Sequence, residues 1–415
     1  MRAFLLVAVL ALALAPAPAS AQDTETEIAS LEEGAAAEVA YTGLTMPVDI
    51  AFGTDGTLYY ASFESGELKA VAADGSERVV WTAPDLQLGG ERGFVGLAVA
   101  PDGGSFYVFY QTNKSGTVVS RLSQIVDGQE NFLLDDIKSE KLHNSGRIAF
   151  GPDGLMYVSV GDAVLDTAGR QKSMHAHDPM SLNGKVLRLN ADGTPAAGNP
   201  WGNEVWTKGH RNVYGLAVSP ANVVLATENG PESWDEINLL VGGNDYGWPT
   251  CSGACDQDGF VDPILAYEST IAPTGAVWYE GAFFFTDFNK GSLHRVRQDQ
   301  TGAWKDERVL KFSTPRILDV AVGPDGLYLS TWDSVWRVVP GPLPADTLVA
   351  ATPPTSPTKT VIVTPSAEPT PDAAPTGTPP GQGAIGEANG IPGPGVWAYG
   401  LVALAALLRG RGSFK

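Results

Sequence analysis

Apolar and polar positions along this chain alternate in short runs broken by turns, and one phrase recurs: an apolar pair, a tight turn, then a β-rich run. It occupies Asp49–Ser62, Gly96–Tyr110, Arg147–Asp162, Gly215–Gly230 and Asp319–Asp333, and returns without its turn at Gly275–Asn289. Four of the six copies carry Thr-Asp-Gly or Pro-Asp-Gly at the turn. Asp-Gly between alternating apolar runs signals a hairpin, because the turn needs positive φ and Gly supplies it. The copies recur at roughly 45–70 residues, and a four-stranded blade takes about 40–50. The pattern predicts an all-β chain folded as a six-bladed β-propeller, with function at its central mouth.

Both ends depart from this pattern. Residues 1–21 pair a basic Arg2 with an apolar run and Ala19-Ser20-Ala21, and read as a secretory signal peptide. Residues 25–38 are acidic and rich in small side chains, and read as a mobile lead-in. The propeller is expected over residues 40–340. Residues 341–389 form a Pro/Thr-rich stretch with few large apolar side chains, and read as an extended linker. In residues 390–415, Pro-Gly-Pro-Gly precedes the apolar Val396–Leu408 and the basic Arg409, Arg411 and Lys415. This short apolar tail resembles a prokaryotic C-terminal sorting signal of the exosortase or archaeosortase type; a weak membrane anchor is the other reading. The chain is thus expected to be exported, with attachment to membrane or cell surface through its tail.

Charge narrows the function. With 47 acidic against 27 basic side chains the net charge is −20, which repels phosphate backbones and argues against nucleic acid as a partner. The same carboxylates suit hard cations. Cys251 and Cys255 are the only cysteines. Export permits a disulfide between them; free thiols and a metal site are the alternatives, and two cysteines alone are few for zinc.

Candidate chemistry sits in the segments that interrupt the repeat. His143, just before the third copy, has the side chain suited to a general base near neutrality, or is a capping residue. Arg211, entering the fourth copy, offers a permanently charged fork for an anion, or braces a loop. Glu228, Glu232, Asp235 and Glu236 crowd around Gly230-Pro231, and carboxylates with carbonyls are the ligand set of Ca²⁺; a solvated acidic loop is the bland reading. Thr270 and Thr274 add hydroxyls before the fifth copy.

Together, Gly90–Ala98, His143–Arg147, Leu182–Gly193, Gly209–Asn212, Glu228–Leu239, Asn244–Pro249, Thr270–Pro273 and Asp319–Gly326 resemble, in order and spacing, the soluble quinoprotein glucose dehydrogenase and aldose sugar dehydrogenase family, also called glucose/sorbosone dehydrogenases. The resemblance implies a six-bladed propeller holding pyrroloquinoline quinone (PQQ) beside Ca²⁺. It implies His143 as catalytic base and Arg211 as stabiliser of charge on the reduced quinone. It implies Glu91 as a substrate contact, often Gln in the family, and Arg211, Asn212, Asp235, Thr270 and Arg316 as cofactor contacts. Gly230 and Pro231 fall on carbonyl ligands of the cofactor-side Ca²⁺. Glu236 and the Tyr246 carbonyl resemble ligands of a structural Ca²⁺, which Asp256 joins.

Three positions depart from the family's pattern. Leu142 stands where glucose-oxidising members have Asp, Asn289 where a cofactor Lys is found, with Lys290 next door, and Leu318 where a second cofactor Arg is found. The implied reaction oxidises the anomeric hydroxyl of an aldose to a lactone, with hydride passing to Ca²⁺-bound PQQ and electrons to an external acceptor. The competing readings are a Ca²⁺-dependent lactonase and a non-catalytic propeller that binds carbohydrate or a surface protein.

Overall fold

The computed structural model describes residues 28–31, 34–164, 174–313, 316–339 and 360–363. The signal peptide, most of the linker and the sorting tail expected from the sequence lie outside these residues.

Six antiparallel sheets form the blades of a propeller, in chain order around its axis. Their innermost strands are Pro47–Phe52, Phe94–Val99, Ser145–Phe150, Val213–Val218, Pro273–Tyr279 and Asp319–Gly323. Each copy of the repeated phrase is the inner hairpin of one blade, and the Asp-Gly turns join its first and second strands. The short continuous apolar runs arise because each blade packs both faces against neighbours, so that Met156–Val160, Val224–Glu228 and Gly326–Ser330 are buried throughout. Phe94, Tyr110 and Trp81 meet edge to face between the first two blades, an arrangement aromatic quadrupoles favour.

The sixth blade takes its outermost strand from the start of the chain: Ala36–Thr42 pairs with Ser334–Val339. The propeller therefore begins ahead of residue 40, within the segment read as a mobile lead-in. That strand is mostly exposed and is held by its backbone ladder, so no apolar alternation marked it. Ile28–Ser30 similarly pairs with the outer strand of blade five, Trp304–Phe312. At the other end Val361–Val363, inside the segment read as linker, lies parallel to Leu265–Tyr267 on the rim of blade four. These segments cover edges whose unpaired N–H and C=O groups would otherwise face water.

Inner strands all begin at one end of the axis, and the connections between second and third strands open there too. That end is the mouth. At the opposite end, where the Asp-Gly turns lie, the C-terminal halves of the inner strands line a cavity of about 320 Å³. Arg147 separates cavity from mouth. Its Nη1 lies 2.9 Å from Asp49 Oδ2 and 3.3 Å from Asp319 Oδ1, and its Nη2 donates to the carbonyls of Val48 and Leu318. The strands converge so tightly that a Cβ on Gly96 would stand 1.9 Å from the Gly146 carbonyl oxygen.

Candidate active site

His143 precedes the inner strand of blade three, in the left-handed region at φ 56°. Three contacts hold it there. Its N–H donates to Glu91 Oε2 at 2.7 Å, its carbonyl accepts from Ala163 at 3.1 Å, and its Nδ1 lies 2.8 Å from Asp162 Oδ1. Asp162 is fully buried and takes a second hydrogen bond, 2.7 Å, from Trp248 Nε1. With Nδ1–H donating to Asp162, Nε2 carries the lone pair; among the described residues it has no partner. Leu142 is buried beside it and pairs with Val164.

Glu91 is likewise buried. One oxygen is committed to the His143 amide, so Glu91 braces the His143 backbone. Arg211 enters before blade four. Its amide donates to Glu228 and its Nη1 to the Asn229 carbonyl at 2.8 Å, and its guanidinium lies 5.5 Å over the Trp248 ring. Burial draws its pKa below the ordinary arginine value, opposed by Asp162, Glu91, Asp235 and Glu228 around it. Asn212 accepts from the Ser145 hydroxyl at 2.8 Å and so ties blades three and four at the mouth.

Asp235 is fully enclosed. Its Oδ1 accepts from the Gly230 amide, and its Oδ2 from the Thr270 hydroxyl and the amides of Ile271 and Ala272, at 2.7 to 2.9 Å. Burial raises its pKa while these donors oppose the rise. Asp235 therefore ties the Gly230 turn to the Thr270 segment. Gly230 is required sterically, since a Cβ there would stand 2.2 Å from the Ser233 carbonyl oxygen.

On the blade-five side, Asn289 donates through its amide to Ile271 and through Nδ2 to Thr270, while Lys290 is exposed. Arg316, at φ 100°, places its guanidinium 5.9 Å from Phe288 and 5.6 Å from Trp332. Leu318 is buried in the core. Thus Glu91, His143, Arg211, Asn212, Thr270, Asn289, Lys290 and Arg316 all lie on segments at the mouth, brought from blades two to six.

Glu236 and Tyr246 sit behind this site. Glu236 Oε1 accepts from the Gly253 amide, and Asn238 Nδ2 donates to both Glu236 and Glu228. Burial and the Glu228 carboxylate push the Glu236 carboxyl up to about 8. The Tyr246 ring stacks on His210 at 4.8 Å and its hydroxyl donates to the Leu239 carbonyl. Asp256 stands apart: it is exposed, and its amide leans on Asp262. Cys251 and Cys255 form a disulfide in the same loop. Among the described residues no three His, Cys, Asp or Glu side chains converge on a metal-sized space; a cation at Gly230-Pro231 would rest on backbone carbonyls.

Two residues were not singled out as functional from sequence. Asp162 closes the third copy of the repeat and there looked like scaffold. Trp248 lies in the Asn244–Pro249 stretch, but its indole N–H toward Asp162 follows from the fold alone.

A six-bladed propeller with an oriented imidazole and arginine forks at its mouth defines the class. The glucose/sorbosone dehydrogenase family model matches residues 44–336, and the chain belongs to that family. Quinoprotein glucose dehydrogenase B of Acinetobacter calcoaceticus is 32% identical over 258 residues, 54% of each chain. Aldose sugar dehydrogenase YliI of Escherichia coli K12 is 26% identical over 340 residues, 72% of this chain and 90% of that one. The match spans only about half the length of the first two curated relatives. Among solved structures, the PQQ-bound aldose sugar dehydrogenase of Streptomyces coelicolor superposes with a TM-score of 0.66 at 29% identity, covering 76% of this chain and 99% of that one.

Proposed function

We propose that this protein is an exported, PQQ-dependent aldose dehydrogenase, which oxidises an anomeric hydroxyl to a lactone and passes electrons to an external acceptor. The observation that carries the reading is His143, aligned through Nδ1 by Asp162, with Nε2 unpartnered among the described residues at a mouth lined by cations. The donor set suits a flat polycarboxylate. Arg211, Arg316 and Lys290 supply positive charge, and Trp248, Phe288 and Trp332 supply apolar faces beside two of those charges. Bound there, PQQ would supply the electron-accepting chemistry the side chains lack.

Each residue then has a task. His143 Nε2 takes the proton of the substrate hydroxyl, and Asp162 holds the ring and stabilises the imidazolium that forms. Arg211 stabilises negative charge developing at the mouth. Asn212, Thr270 and Arg316 hold the quinone, with Asp235 fixing the Thr270 segment. Gly230 and Pro231 offer carbonyls to a cofactor-side Ca²⁺ and, on our reading, Glu236 with the Tyr246 carbonyl holds a second. The buried Glu228–Glu236 pair favours a cation nearby, because two carboxylates sharing neutral donors repel. Leu142 in place of a carboxylate favours an aldose other than glucose.

Reconstitution tests this. Purified apoprotein is titrated with PQQ and Ca²⁺, and quinone occupancy and aldose-dependent dye reduction are measured. Binding at micromolar PQQ with turnover supports the reading. Absence of quinone binding would replace it with a non-catalytic binder, the Asn289 and Leu318 departures having disabled the site.

A further inference from the structure

Behind the loop that presents Asn289 and Lys290 lies a buried line of charge with no counterpart in the proposed reaction. Asp287 ends the second strand of blade five and is fully buried. Its Oδ1 accepts the amides of Lys290 at 2.5 Å and Gly291 at 2.9 Å, and its Oδ2 the amide of Ser292 at 3.3 Å. One carboxylate thus caps the whole turn. His294 Nε2 stands 3.0 Å from the same Oδ2, and His294 Nδ1 stands 2.9 and 3.1 Å from the two oxygens of Asp306. The ring is 3% exposed and stacks on Phe285 at 4.4 Å.

Both imidazole nitrogens therefore face carboxylates. Only the doubly protonated ring can donate to both; a neutral ring would set a lone pair against one carboxylate. Burial opposes the charge, but Asp306 and Asp287 outweigh it and hold the imidazolium to about 9. Of the other groups packed around it, the Tyr267 hydroxyl shares Asp306 with the ring. Tyr267 from blade four meets the ring edge-on at 6.4 Å, and burial keeps its hydroxyl neutral. Arg295, next on the strand, is paired with Glu307, and Arg308 is the register partner across a bulge.

We propose that His294 is a positioning residue: as an imidazolium clamped between Asp287 and Asp306, it fixes the 288–291 turn and through it the quinone-facing Asn289, Lys290 and Thr270 segment. The mechanical link is continuous. Phe288 and Asn289 donate their amides to Ala272 and Ile271, the segment that Asp235 holds from the other side. When His294 loses its proton, Asp287 loses a charge-assisted partner, and the turn it caps loosens. The effect on quinone rests on the function proposed above; the effect on the turn does not.

The experiment uses full-length protein and two readouts. The first is PQQ affinity from quenching of tryptophan fluorescence, at saturating Ca²⁺, from pH 6 to 10. Wild type should bind evenly up to about pH 8 and about tenfold more weakly once His294 has titrated, the loss of one charge-assisted contact. Asp306→Asn should keep the affinity at pH 6 but bring that transition down by about one pH unit. Lys290→Gln should leave the transition in place, showing that it is not the lysine's own titration. The second readout is amide hydrogen exchange of residues 288–292 in the apoprotein, which should speed up in His294→Asn while residues 106–114 of blade two stay protected. An unmoved transition in Asp306→Asn, or its loss in Lys290→Gln, would overturn the proposal, as would unchanged exchange in folded His294→Asn. If wild type binds no quinone at any pH, the dehydrogenase reading fails, and the exchange measurement still decides the role of His294.

Discussion

The His143 Nδ1 and the Asp162 carboxylate lie 2.8 Å apart at the mouth, and the second oxygen of that carboxylate is held by the Trp248 indole. This makes the ring orientation a property of blade three and the 244–250 loop together. In Asp162→Asn the amide can present N–H to Nδ1, which favours the tautomer that puts the lone pair on the wrong nitrogen. Turnover should fall roughly 10²–10⁴-fold, the range for loss of a positioned general base, while PQQ occupancy stays near wild type. His143→Ala should fall by a similar factor. Wild-type turnover in either variant, measured with occupancy in the same sample, would show that the base has been misassigned.

His294 also carries a stability prediction that needs no ligand. Its pKa rises from 6.5 to about 9 on folding, so the folded state binds the proton more tightly. Stability from this source is fully present below about pH 6.5 and is lost as pH rises through about 9; a shift of that size is worth on the order of 3 kcal/mol. The melting temperature of wild type should therefore decline between pH 7 and 9.5. In His294→Gln that particular decline should be absent, with a lower plateau at pH 6. Parallel curves for the two proteins would remove the imidazolium from the account.

Most of the scaffold was legible because it is periodic. Asp-Gly turns and apolar pairs mark hairpins through local chemistry, and six copies of one phrase identify six blades. The edge strands were not legible. Ala36–Thr42 buries little side chain, Val361–Val363 only half-buries two valines, and both are selected by the free backbone edge they meet, which exists only after the blades form. The site divides the same way. His143, Arg211 and Thr270 stand immediately before inner strands, so their place at the mouth follows from the repeat. Asp162 and His294 act by contacts to residues 19 and 12 positions away, and within the sequence they look like ordinary strand residues. Asp235 also ties the Gly230 turn to the Thr270 segment through four donors, contacts that its place in the sequence does not disclose.

The strand at 361–363 gives the linker a function in the fold. Val361 donates to the Ile264 carbonyl and the Thr360 hydroxyl to the Pro263 carbonyl, so the rim of blade four is covered by the chain itself. A truncation after Val339 should fold and keep its activity, because no mouth residue is touched. It should lose about 2–4 kcal/mol, from a few net hydrogen bonds and the packing of half-buried Val361 and Val363, and should self-associate at high concentration through the bared edge. Light scattering and a denaturation midpoint check both parts. A truncated protein as monodisperse and stable as the full chain would show that the strand contributes nothing.

Arg147 closes the axis between mouth and opposite cavity, and its two carboxylate partners are not equivalent. Burial raises both Asp49 and Asp319, with Arg147 opposing; Asp319 rises well above its ordinary value, because Asp49 beside it adds a like charge. One guanidinium faces two carboxyls, and burial with the neighbouring Asp49 makes Asp319 the more readily protonated of the pair. Each aspartate also accepts a backbone N–H from an inner strand, Leu97 for Asp49 and Ile50 for Asp319, at 2.9 and 2.8 Å, so the cluster stitches blades six, one and two. Asp319→Asn replaces the more readily protonated carboxyl by a neutral amide of the same shape and should cost under about 1 kcal/mol. Arg147→Met leaves an ionised carboxylate without its cation and should cost about 3–5 kcal/mol. The double variant Asp49→Asn/Asp319→Asn strands the guanidinium and should cost clearly more than the two single changes added together, since either carboxylate alone can serve as its partner. Chemical denaturation of wild type, Asp49→Asn, Asp319→Asn, Arg147→Met and the double variant measures this. Additive single and double costs would mean that the two aspartates do not share one counter-charge.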